Sequence, residues 1–445
     1  MNDTIAALAT PFGQGAIAVL RLSGPEALAV AQRATGRRSE DLPARQVRLA
    51  SVRGTQGEVL DEVLVTAFPG PCSYTGEDVV EISCHGGVLV AQAVLERLLA
   101  CGARLAEAGE YTQRAFLNGK MDLTQAEAVM DVISAQTDLS LRAAQHQLGG
   151  RIGEATEALR AELLDVLAHV EAYIDFPEDD IDPETGEGLL HRMDEACSKI
   201  DALLATAKQG RILREGVRTV IYGKPNVGKS SLLNVLLGYE RAIVSEIAGT
   251  TRDTVEEVVN LGGIPVRLID TAGMREASDE VEQRGVERAI RHVENADLIL
   301  EVVDASEPRE AGFSLENHNR VHHVLVLNKC DLSCHSDWKG VKGVSISCLE
   351  GTGVTELIEV IGEELSLGAN SWGQEAVAVN ARHQECLRRS REGLLAARAQ
   401  LGRGASPEFS SVDLRIALDA IGEVAGRVEV DEILGKIFGS FCIGK

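Results

Sequence analysis

Residues Gly223–Ser230, with the sequence GKPNVGKS, constrain the fold of this 445-residue chain more than any other segment. They fit the pattern G-x-x-x-x-G-K-[ST], and the apolar run Val217–Tyr222 comes directly before them. The following residues, Ser231–Leu237, have a helical pattern, so the motif has the strand–loop–helix context of a phosphate-binding loop. Glycines in such a loop let successive backbone N–H groups face a phosphate. The sequence therefore predicts a nucleotide-binding α/β domain in the middle of the chain.

Two side chains of this loop are expected to bind different groups, one the phosphates and the other the metal ion. Lys229 is expected to reach the outer phosphates, and Ser230 is expected to ligate Mg²⁺. A second motif, Asp270-Thr-Ala-Gly273, follows the strand-like run Pro265–Ile269 and places an Asp near the magnesium and a Gly N–H near the γ-phosphate. The predicted contacts in these two motifs are Asn226, Val227, Gly228, Lys229, Ser230, Ser231, Asp270, Thr271, Ala272 and Gly273.

Two later motifs indicate which base is bound. Asn328-Lys-Cys-Asp331 follows the buried-strand pattern Val324–Leu327. The Asp331 carboxylate can accept two hydrogen bonds from the N1–H and N2–H₂ edge of guanine, whereas adenine presents no such pair of donors. Ser347, after a third apolar segment, is expected to complete the base pocket through backbone amides. Four motifs in this order predict a guanine-nucleotide domain, with base contacts from Asn328, Lys329, Asp331, Ser347 and Cys348.

The segment Gly249-Thr-Thr-Arg-Asp253 is expected to act as a switch. One of its hydroxyls, from Thr250 or Thr251, should complete the Mg²⁺ shell while the γ-phosphate is present, so that loss of the phosphate releases the loop. A threonine-rich capping turn is the alternative interpretation.

Met274 stands where Ras-type domains carry the glutamine that orients the attacking water. A thioether cannot replace that amide, so catalysis must use other groups. Arg252 and the charged segment Arg275–Glu282 offer candidates, although such a charged run is more often a solvated loop. The amide oxygen of Asn226 can hold a monovalent cation against the phosphates, where an arginine finger would otherwise supply charge.

Composition restricts the remaining functions. The formal net charge of −24 argues against a protein that coats nucleic acid, because counterion displacement requires Lys and Arg. We find no run of 18 apolar residues and no signal peptide, so we expect a cytoplasmic protein without membrane association. Nine cysteines without a C-x-x-C pair are expected to be reduced, and Cys330 with Cys334 lacks the second pair that a zinc site needs.

The periodicity predicts α+β structure near the N-terminus and helices on both sides of the nucleotide domain. Expected strands are Ala16–Leu22, Glu58–Phe68 and Asp78–Ser83, with a helix over Leu89–Leu99. Thr124-Gln-Ala-Glu127 matches a capping box. A helical stripe, expected to form a core face, contains Leu159, Leu163, Val166, Leu167, Val170 and Ile174. We expect domains at 1–118, 119–215, 216–368 and 369–445, with the nucleotide domain inserted into a helical domain, and an apolar C-terminal tail that docks into a site.

Seven segments of this chain resemble the MnmE (TrmE) family of bacterial tRNA-modification GTPases, which are related to potassium-activated Era-like GTPases. The resemblance covers essentially the whole chain and rests on the segments LRLSG, YTGEDVVEISCHGG, RAFLNGKMDLTQAEA, GKPNVGKSSLLN, AGTTRD, DTAGMREASDEVE and FCIGK.

The resemblance implies an N-terminal tetrahydrofolate-binding α+β domain through which the chain forms a homodimer. The positions that match the family's folate contacts are Arg21, Glu81, Lys120 and Lys445. Physically, a glutamate suits the aminopterin donor edge, whereas Arg and Lys suit the carboxylates of the folate. By residue type alone, Glu81 and Lys120 would be ordinary surface charges.

The resemblance also implies activation by potassium. It assigns Thr251 to Mg²⁺ with Ser230, and it assigns Asn226, Ser245, Ile247 and Thr250 to K⁺. Glu282 matches the residue that organises the hydrolytic water, which would replace the missing glutamine at Met274. The family's nucleotide contacts in the switch segment correspond to Ser245, Glu246, Ile247, Ala248, Gly249, Thr250 and Thr251.

The family's biological role gives the expected reaction. With the partner MnmG, which carries FAD and uses NADH, members of the family install a carboxymethylaminomethyl or aminomethyl group on C5 of the wobble uridine of certain tRNAs. The carbon comes from 5,10-methylene-tetrahydrofolate, for which 5-formyl-tetrahydrofolate is an analogue. A structural role is favoured over a nucleophilic one for Cys442, because the tail shows no activating base.

Two alternatives belong to other classes. A ribosome-assembly or translation GTPase would act purely as a binding switch, but it would usually carry a basic RNA-binding appendage. A folate-dependent transferase that acts alone would need a flavin or nicotinamide fingerprint, which the sequence lacks.

Overall fold

The computed structural model describes residues 3–38, 41–175, 187–239, 257–269, 296–309, 321–365, 379–403, 405–427 and 431–444. Internal contacts divide the chain into two compact units. The first unit contains residues 1–130, 153–157 and 421–445, and the second contains residues 131–152 and 158–420.

The first unit is built on a six-stranded sheet in the order β3-β4-β5-β2-β1-β6. All neighbouring strands are antiparallel except β1 and β6, which are parallel. The strands are β1 (Ile5–Leu8), β2 (Ile17–Ser23), β3 (Arg48–Arg53), β4 (Val59–Phe68), β5 (Val79–His85) and β6 (Arg104–Leu105).

Alternation along these strands gives the sheet two different faces. Leu20, Leu22 and Ile82 are buried in the core beneath the helices α1 (Ala27–Thr35) and α2 (Val88–Ala100). Arg21 and Glu81 alternate with these residues and therefore point to the opposite face. The three strands and the helix predicted here are confirmed, with boundaries that differ by one or two residues.

The remaining helices of the described chain follow in order. They are α3 (Glu110–Leu117), α4 (Leu123–Ser134), α5 (Asp138–Leu148), α6 (Arg151–Asp175), α7 (Glu187–Ala205), α8 (Ala207–Glu215), α9 (Lys229–Tyr239), α10 (Val354–Glu364), α11 (Ala381–Gly402), α12 (Pro407–Val424) and α13 (Asp431–Gly439). The predicted stripe on α6 is a core face, because five of its six residues are buried and Ile174 is half-buried.

The capping box predicted at Thr124–Glu127 is wrong, because α4 begins earlier and Thr124 lies inside its first turn. The Asp122 carboxylate accepts a hydrogen bond from the Gln125 N–H at 2.8 Å, and the Gln125 side chain accepts one from the Asp122 N–H at 3.0 Å. Asp122 and Gln125 therefore form the reciprocal pair. Thr124 instead donates its hydroxyl hydrogen to Asp122.

The second unit contains another six-stranded sheet, in the order β12-β11-β10-β7-β9-β8. Only the β8–β9 hairpin at one edge is antiparallel among these described pairs. The strands are β7 (Val217–Tyr222), β8 (Glu257–Leu261), β9 (Ile264–Leu268), β10 (Leu298–Asp304), β11 (His322–Asn328) and β12 (Val344–Ser345). The nucleotide motifs after β7, β9 and β11 follow the carboxyl ends of parallel strands, where open α/β sheets bind ligands.

Candidate guanine-nucleotide and folate sites

The loop between β7 and α9 can bind phosphate only because its backbone takes conformations that favour glycine. Gly223 and Gly228 have φ values of 151° and 103°. A Cβ on Gly223 would lie 2.2 Å from the Val302 carbonyl oxygen, and one on Gly228 would lie 2.1 Å from Nδ2 of Asn328. Both glycines are therefore required by close packing as well as by conformation.

Two side chains complete this loop. Asn226 has a φ of 63°, a conformation that asparagine tolerates better than most residues. The Lys229 ammonium donates hydrogen bonds to the carbonyl oxygens of Gly223 at 2.9 Å and Lys224 at 2.6 Å. The lysine thus lies over the loop, where the outer phosphates of a nucleotide would meet its charge.

Asn328, at the end of β11, joins the phosphate loop to the base loop. Its Nδ2 donates to the Val227 carbonyl oxygen at 2.8 Å, and its Oδ1 accepts from the Cys348 N–H at 3.1 Å. The side chain is only 2% exposed, so both loops depend on one buried amide.

The base loop holds Asp331 in place. The Ser347 hydroxyl donates to Oδ1 of Asp331 at 2.6 Å and accepts from the Glu350 N–H at 3.2 Å. The Ser347 N–H is paired with the Thr352 carbonyl oxygen at 3.0 Å. The Ser347 hydroxyl thus holds Asp331 in place, and the completion of the base pocket by backbone amides stays a prediction.

Asp304 supports the same site and was missed by the sequence analysis. Its carboxylate contacts the Lys329 ammonium at 2.5 Å and accepts from the Ser306 hydroxyl at 2.6 Å. Burial opposes ionisation, but Lys329 and Ser306 outweigh it and hold the pKa of Asp304 below its ordinary value. The pair fixes Lys329, which has a φ of 65°. The sequence Asp-Ala-Ser after an apolar strand marks the end of that strand, but it does not indicate the contact with Lys329.

The thiol of Cys348 has an unusual environment within the base loop. Burial, with a smaller contribution from the Asp331 carboxylate, raises the pKa of Cys348 to about 11. The thiol is therefore neutral at physiological pH.

Many predicted residues of this site lie outside the described part of the chain, and their assignments stay predictions. These are Ser245, Glu246, Ile247, Ala248, Gly249, Thr250, Thr251, Asp270, Thr271, Ala272, Gly273 and Glu282. The same holds for Met274, for Arg252 and for the charged segment after Met274.

The first unit brings two of the predicted folate residues together. Arg21 on β2 and Glu81 on β5 are register partners, and the Arg21 guanidinium donates to Oε1 of Glu81 at 2.8 and 3.0 Å. The guanidinium carbon lies 5.4 Å from the ring centre of Tyr74 and 5.8 Å from that of Tyr111. Both tyrosine rings are therefore within cation–π distance of the Arg21 guanidinium and help to fix its position.

Lys120 and the C-terminal tail belong to the same unit. The Lys120 ammonium donates to the Pro71 carbonyl oxygen at 3.1 Å. The tail packs against this unit, because Ile443 pairs with Ala108 and a Cβ on Gly444 would lie 2.2 Å from the Leu8 carbonyl oxygen; its docking into a ligand site stays a prediction. Leu8 is the register partner of Leu20, next to Arg21. Lys445 lies outside the described residues.

Two further properties concern only the described residues. They contain no group of three or more His, Cys, Asp or Glu side chains that is arranged to hold a metal ion. None of the helices in these ranges is both long and apolar enough to cross a membrane.

Comparison with known proteins identifies the family of this chain. Residues 123–442 match the family described as MnmE helical domain, and residues 4–120 match the family described as GTP-binding protein TrmE N-terminus. The tRNA modification GTPase MnmE of Akkermansia muciniphila is 54% identical over 444 residues, which cover 99% of each chain.

Two other relatives are similar over their full length. The tRNA modification GTPase MnmE of Chloroflexus aurantiacus is 47% identical over 456 residues, and that of Geobacter sulfurreducens is 46% identical over 460 residues. In both cases the alignment covers 100% of this chain and 100% of the relative.

Proposed function

This chain belongs to the MnmE family of tRNA modification GTPases, and we propose that it acts with the FAD-containing protein MnmG on the wobble uridine of certain tRNAs. The product is a C5 carboxymethylaminomethyl or aminomethyl group whose carbon comes from 5,10-methylene-tetrahydrofolate. The observation that carries this proposal is that one chain of this family contains both a guanine-type phosphate loop and the Arg21–Glu81 ion pair. The chain itself hydrolyses GTP as an enzyme of this family.

We assign the GTP site to the loops around Gly228, Asn328 and Asp331. The close approach of Gly228 to Asn328 leaves no room for a side chain, as a backbone cradle for phosphate requires. Ser230 and Thr251 would hold Mg²⁺. Oxygen donors of Asn226, Ser245, Ile247 and Thr250 would hold K⁺. When bound, the two cations neutralise negative charge on the phosphate oxygens, and Glu282 orients the attacking water.

We assign the folate site to Arg21, Glu81, Lys120 and Lys445. The free oxygen of Glu81 can accept hydrogen bonds from a pterin, whereas the lysines can pair with folate carboxylates. Tyr74, which is half-buried, lies beside the Arg21 guanidinium and offers aromatic surface for the ring system, whereas the buried Tyr111 supports Arg21 from within the core. These two tyrosines extend the residue set predicted from the sequence.

We propose a homodimer formed through the first unit. Leu49 and Leu64 are register partners on β3 and β4, and they remain 58% and 45% exposed. This leucine pair gives the first unit an exposed apolar area that a second copy would cover. A heterotetramer with MnmG in the cytoplasm would then supply the flavin and much of the tRNA-binding surface.

We retain four domains as part of this proposal. Residues 1–118 bind folate and form the dimer, 119–215 and 369–445 are the two parts of the helical domain, and 216–368 form the GTPase domain. Both ends of the GTPase domain then attach to one helical body, so its nucleotide state can act on that body mechanically.

The cation part of the proposal is tested by GTP turnover in K⁺ and in Na⁺ at equal ionic strength. Wild-type protein is expected to hydrolyse GTP at least tenfold faster in K⁺. Asn226→Gly removes the amide while permitting the φ of 63°, so it should bind GTP but lose the preference for K⁺. Equal wild-type turnover in both ions would rule out the cation mechanism.

The reaction itself is tested by reconstitution with MnmG, NADH, glycine and an unmodified tRNA. The modified uridine is expected only when both GTP and methylene-tetrahydrofolate are present. Product formation without the folate would refute the proposed carbon source.

A further inference from the structure

Four exposed arginines line one edge of the sheet in the first unit. We refer to Arg37, Arg38, Arg45 and Arg48 as the arginine rim. Arg37 and Arg38 follow the end of α1, and Arg48 opens β3, the edge strand of the sheet. Arg45 lies just before this strand and pairs through its N–H with the Ala67 carbonyl oxygen on β4. The rim is thus fixed to one sheet edge.

The rim gathers four cations on a strongly acidic protein, and beside it the Asp41 carboxylate accepts a hydrogen bond from the Arg38 backbone N–H at 3.2 Å. Among the described residues, none of these four guanidinium groups forms an ion pair with a carboxylate. Arginines elsewhere are commonly paired, as in Arg391–Asp201 at 2.6 Å and Arg427–Glu157 at 2.9 Å. The chain has a net charge of −24, whereas this edge of the sheet, within the described residues, has more guanidinium groups than carboxylates.

Three of the four guanidinium groups are also oriented. Arg37 donates to the Leu49 carbonyl oxygen at 2.9 Å, Arg45 donates to the Cys72 carbonyl oxygen at 2.9 Å, and Arg48 donates to the Gln46 side chain at 3.0 Å. A guanidinium has five N–H donors, so each of these groups keeps most of its donors for a ligand. Anchored guanidinium groups lose less conformational freedom when they bind a phosphate.

We propose that the arginine rim binds the phosphate backbone of the tRNA substrate. This inference rests on the proposed function, because membership in a tRNA-modifying family identifies the polyanion. Planar guanidinium forks match phosphate geometry, and a row of cations along a strand follows a continuous backbone. The acidic remainder of the chain repels RNA, which would restrict the contact to this edge.

The test measures the affinity of the full-length protein for an unmodified tRNA transcript between 50 and 200 mM KCl. Arg38→Gln with Arg48→Gln removes the two cations that make no contact with a main-chain carbonyl, so the fold should be retained. The logarithm of the affinity constant should depend less steeply on log salt, by about 1.5 units of slope. A variant with all four arginines changed to Gln should lose about 3 units. Arg403→Gln, an exposed arginine of the second unit, is the matched control and should behave as wild type.

The outcomes separate this inference from the proposed function. A shallower salt dependence with unchanged GTP turnover supports the rim as the RNA contact. If wild type and the double variant bind tRNA equally, the rim is not that contact, whether or not the protein modifies tRNA. Loss of MnmG binding with unchanged tRNA binding would identify the rim as a protein-docking surface and refute the inference. If the chain did not support modification in the reconstitution but the salt effect remained, only the proposed reaction would be refuted.

Discussion

At the scale of single residues, the buried amide of Asn328 joins the phosphate loop to the base loop. Asn328→Ala leaves the Val227 carbonyl and the Cys348 N–H without the partner that joins them. An unsatisfied buried polar group costs about 1–3 kcal/mol, so we expect guanine-nucleotide affinity to fall about 5- to 150-fold. Titration with a fluorescent GDP analogue measures this change. Asn234→Ala, on the exposed side of α9, is the control and should bind normally.

Cys348 provides a prediction about pH. Its thiol pKa of about 11 exceeds the ordinary value of 9.0. The Cys348 thiol therefore stays largely neutral between pH 9 and pH 11, where a cysteine with the ordinary pKa ionises. At pH 8.5, iodoacetamide should modify the exposed Cys72, Cys334 and Cys442 well before Cys348, and Cys348 should react faster as the pH approaches 11. Peptide mapping by mass spectrometry measures each site. Early modification of Cys348 in folded protein would contradict the assigned environment.

The raised pKa of Cys348 also makes the stability of the folded protein depend on pH. A group whose pKa is raised by folding contributes fully below its unfolded pKa, and this contribution is lost as pH rises through the folded value. The Cys348 contribution is therefore present below pH 9 and declines towards pH 11.

The residues of the GTP site were predictable to different degrees. Gly228, Lys229, Asn328 and Asp331 follow from spacing, because each motif must lie at the end of a parallel strand. Asp304 could not be predicted from spacing, because its role depends on a contact with Lys329 between the ends of two neighbouring strands. The spacing of residues along the sequence does not indicate which side chains meet across neighbouring strands.

At the scale of elements, the phosphate loop and its helix respond differently to the same substitution. Gly228→Ala places a Cβ against the Asn328 amide at a φ of 103°, so GTP binding should be abolished. Gly238→Ala, near the end of α9, meets nothing within 4 Å and should raise stability by up to about 1 kcal/mol. Thermal unfolding and nucleotide titration of both variants measure these effects. Normal GTP binding by Gly228→Ala would contradict the assigned loop geometry.

Strands and helices with a clear hydrophobic periodicity were predicted correctly. A short strand and the capping residues of a helix were not. The strand Val217–Tyr222 was predicted with its observed boundaries, and the stripe on α6 was identified as core. The strand β1, four residues of Ile, Ala and Leu, was missed because it is too short to show alternation. At α4, both Thr124–Glu127 and Asp122–Gln125 fit a cap, and only the start of the helix distinguishes them.

At the scale of the whole molecule, the two ends of the chain meet in the first unit. Gly444 has a φ of 100°, and a Cβ there would clash with the Leu8 carbonyl oxygen on β1. Gly444→Ala should therefore release the tail and weaken folate binding at least tenfold, because Leu8 lies beside the strand that carries Arg21. Gly439→Ala, which meets nothing within 4 Å, is the matched control. Titration with 5-formyl-tetrahydrofolate measures the loss of affinity. If the two variants bind this folate equally, the tail does not contribute to the folate site.

The family of this chain identifies a GTPase that acts in tRNA modification, and folate is the further ligand that we propose. The most direct test of this account is nucleoside analysis of tRNA from cells that lack the gene. The account predicts that wobble uridines lose their C5 aminomethyl-type groups, that the wild-type gene restores them, and that Gly228→Ala does not. Unchanged wobble uridines in the deletion strain would contradict the account.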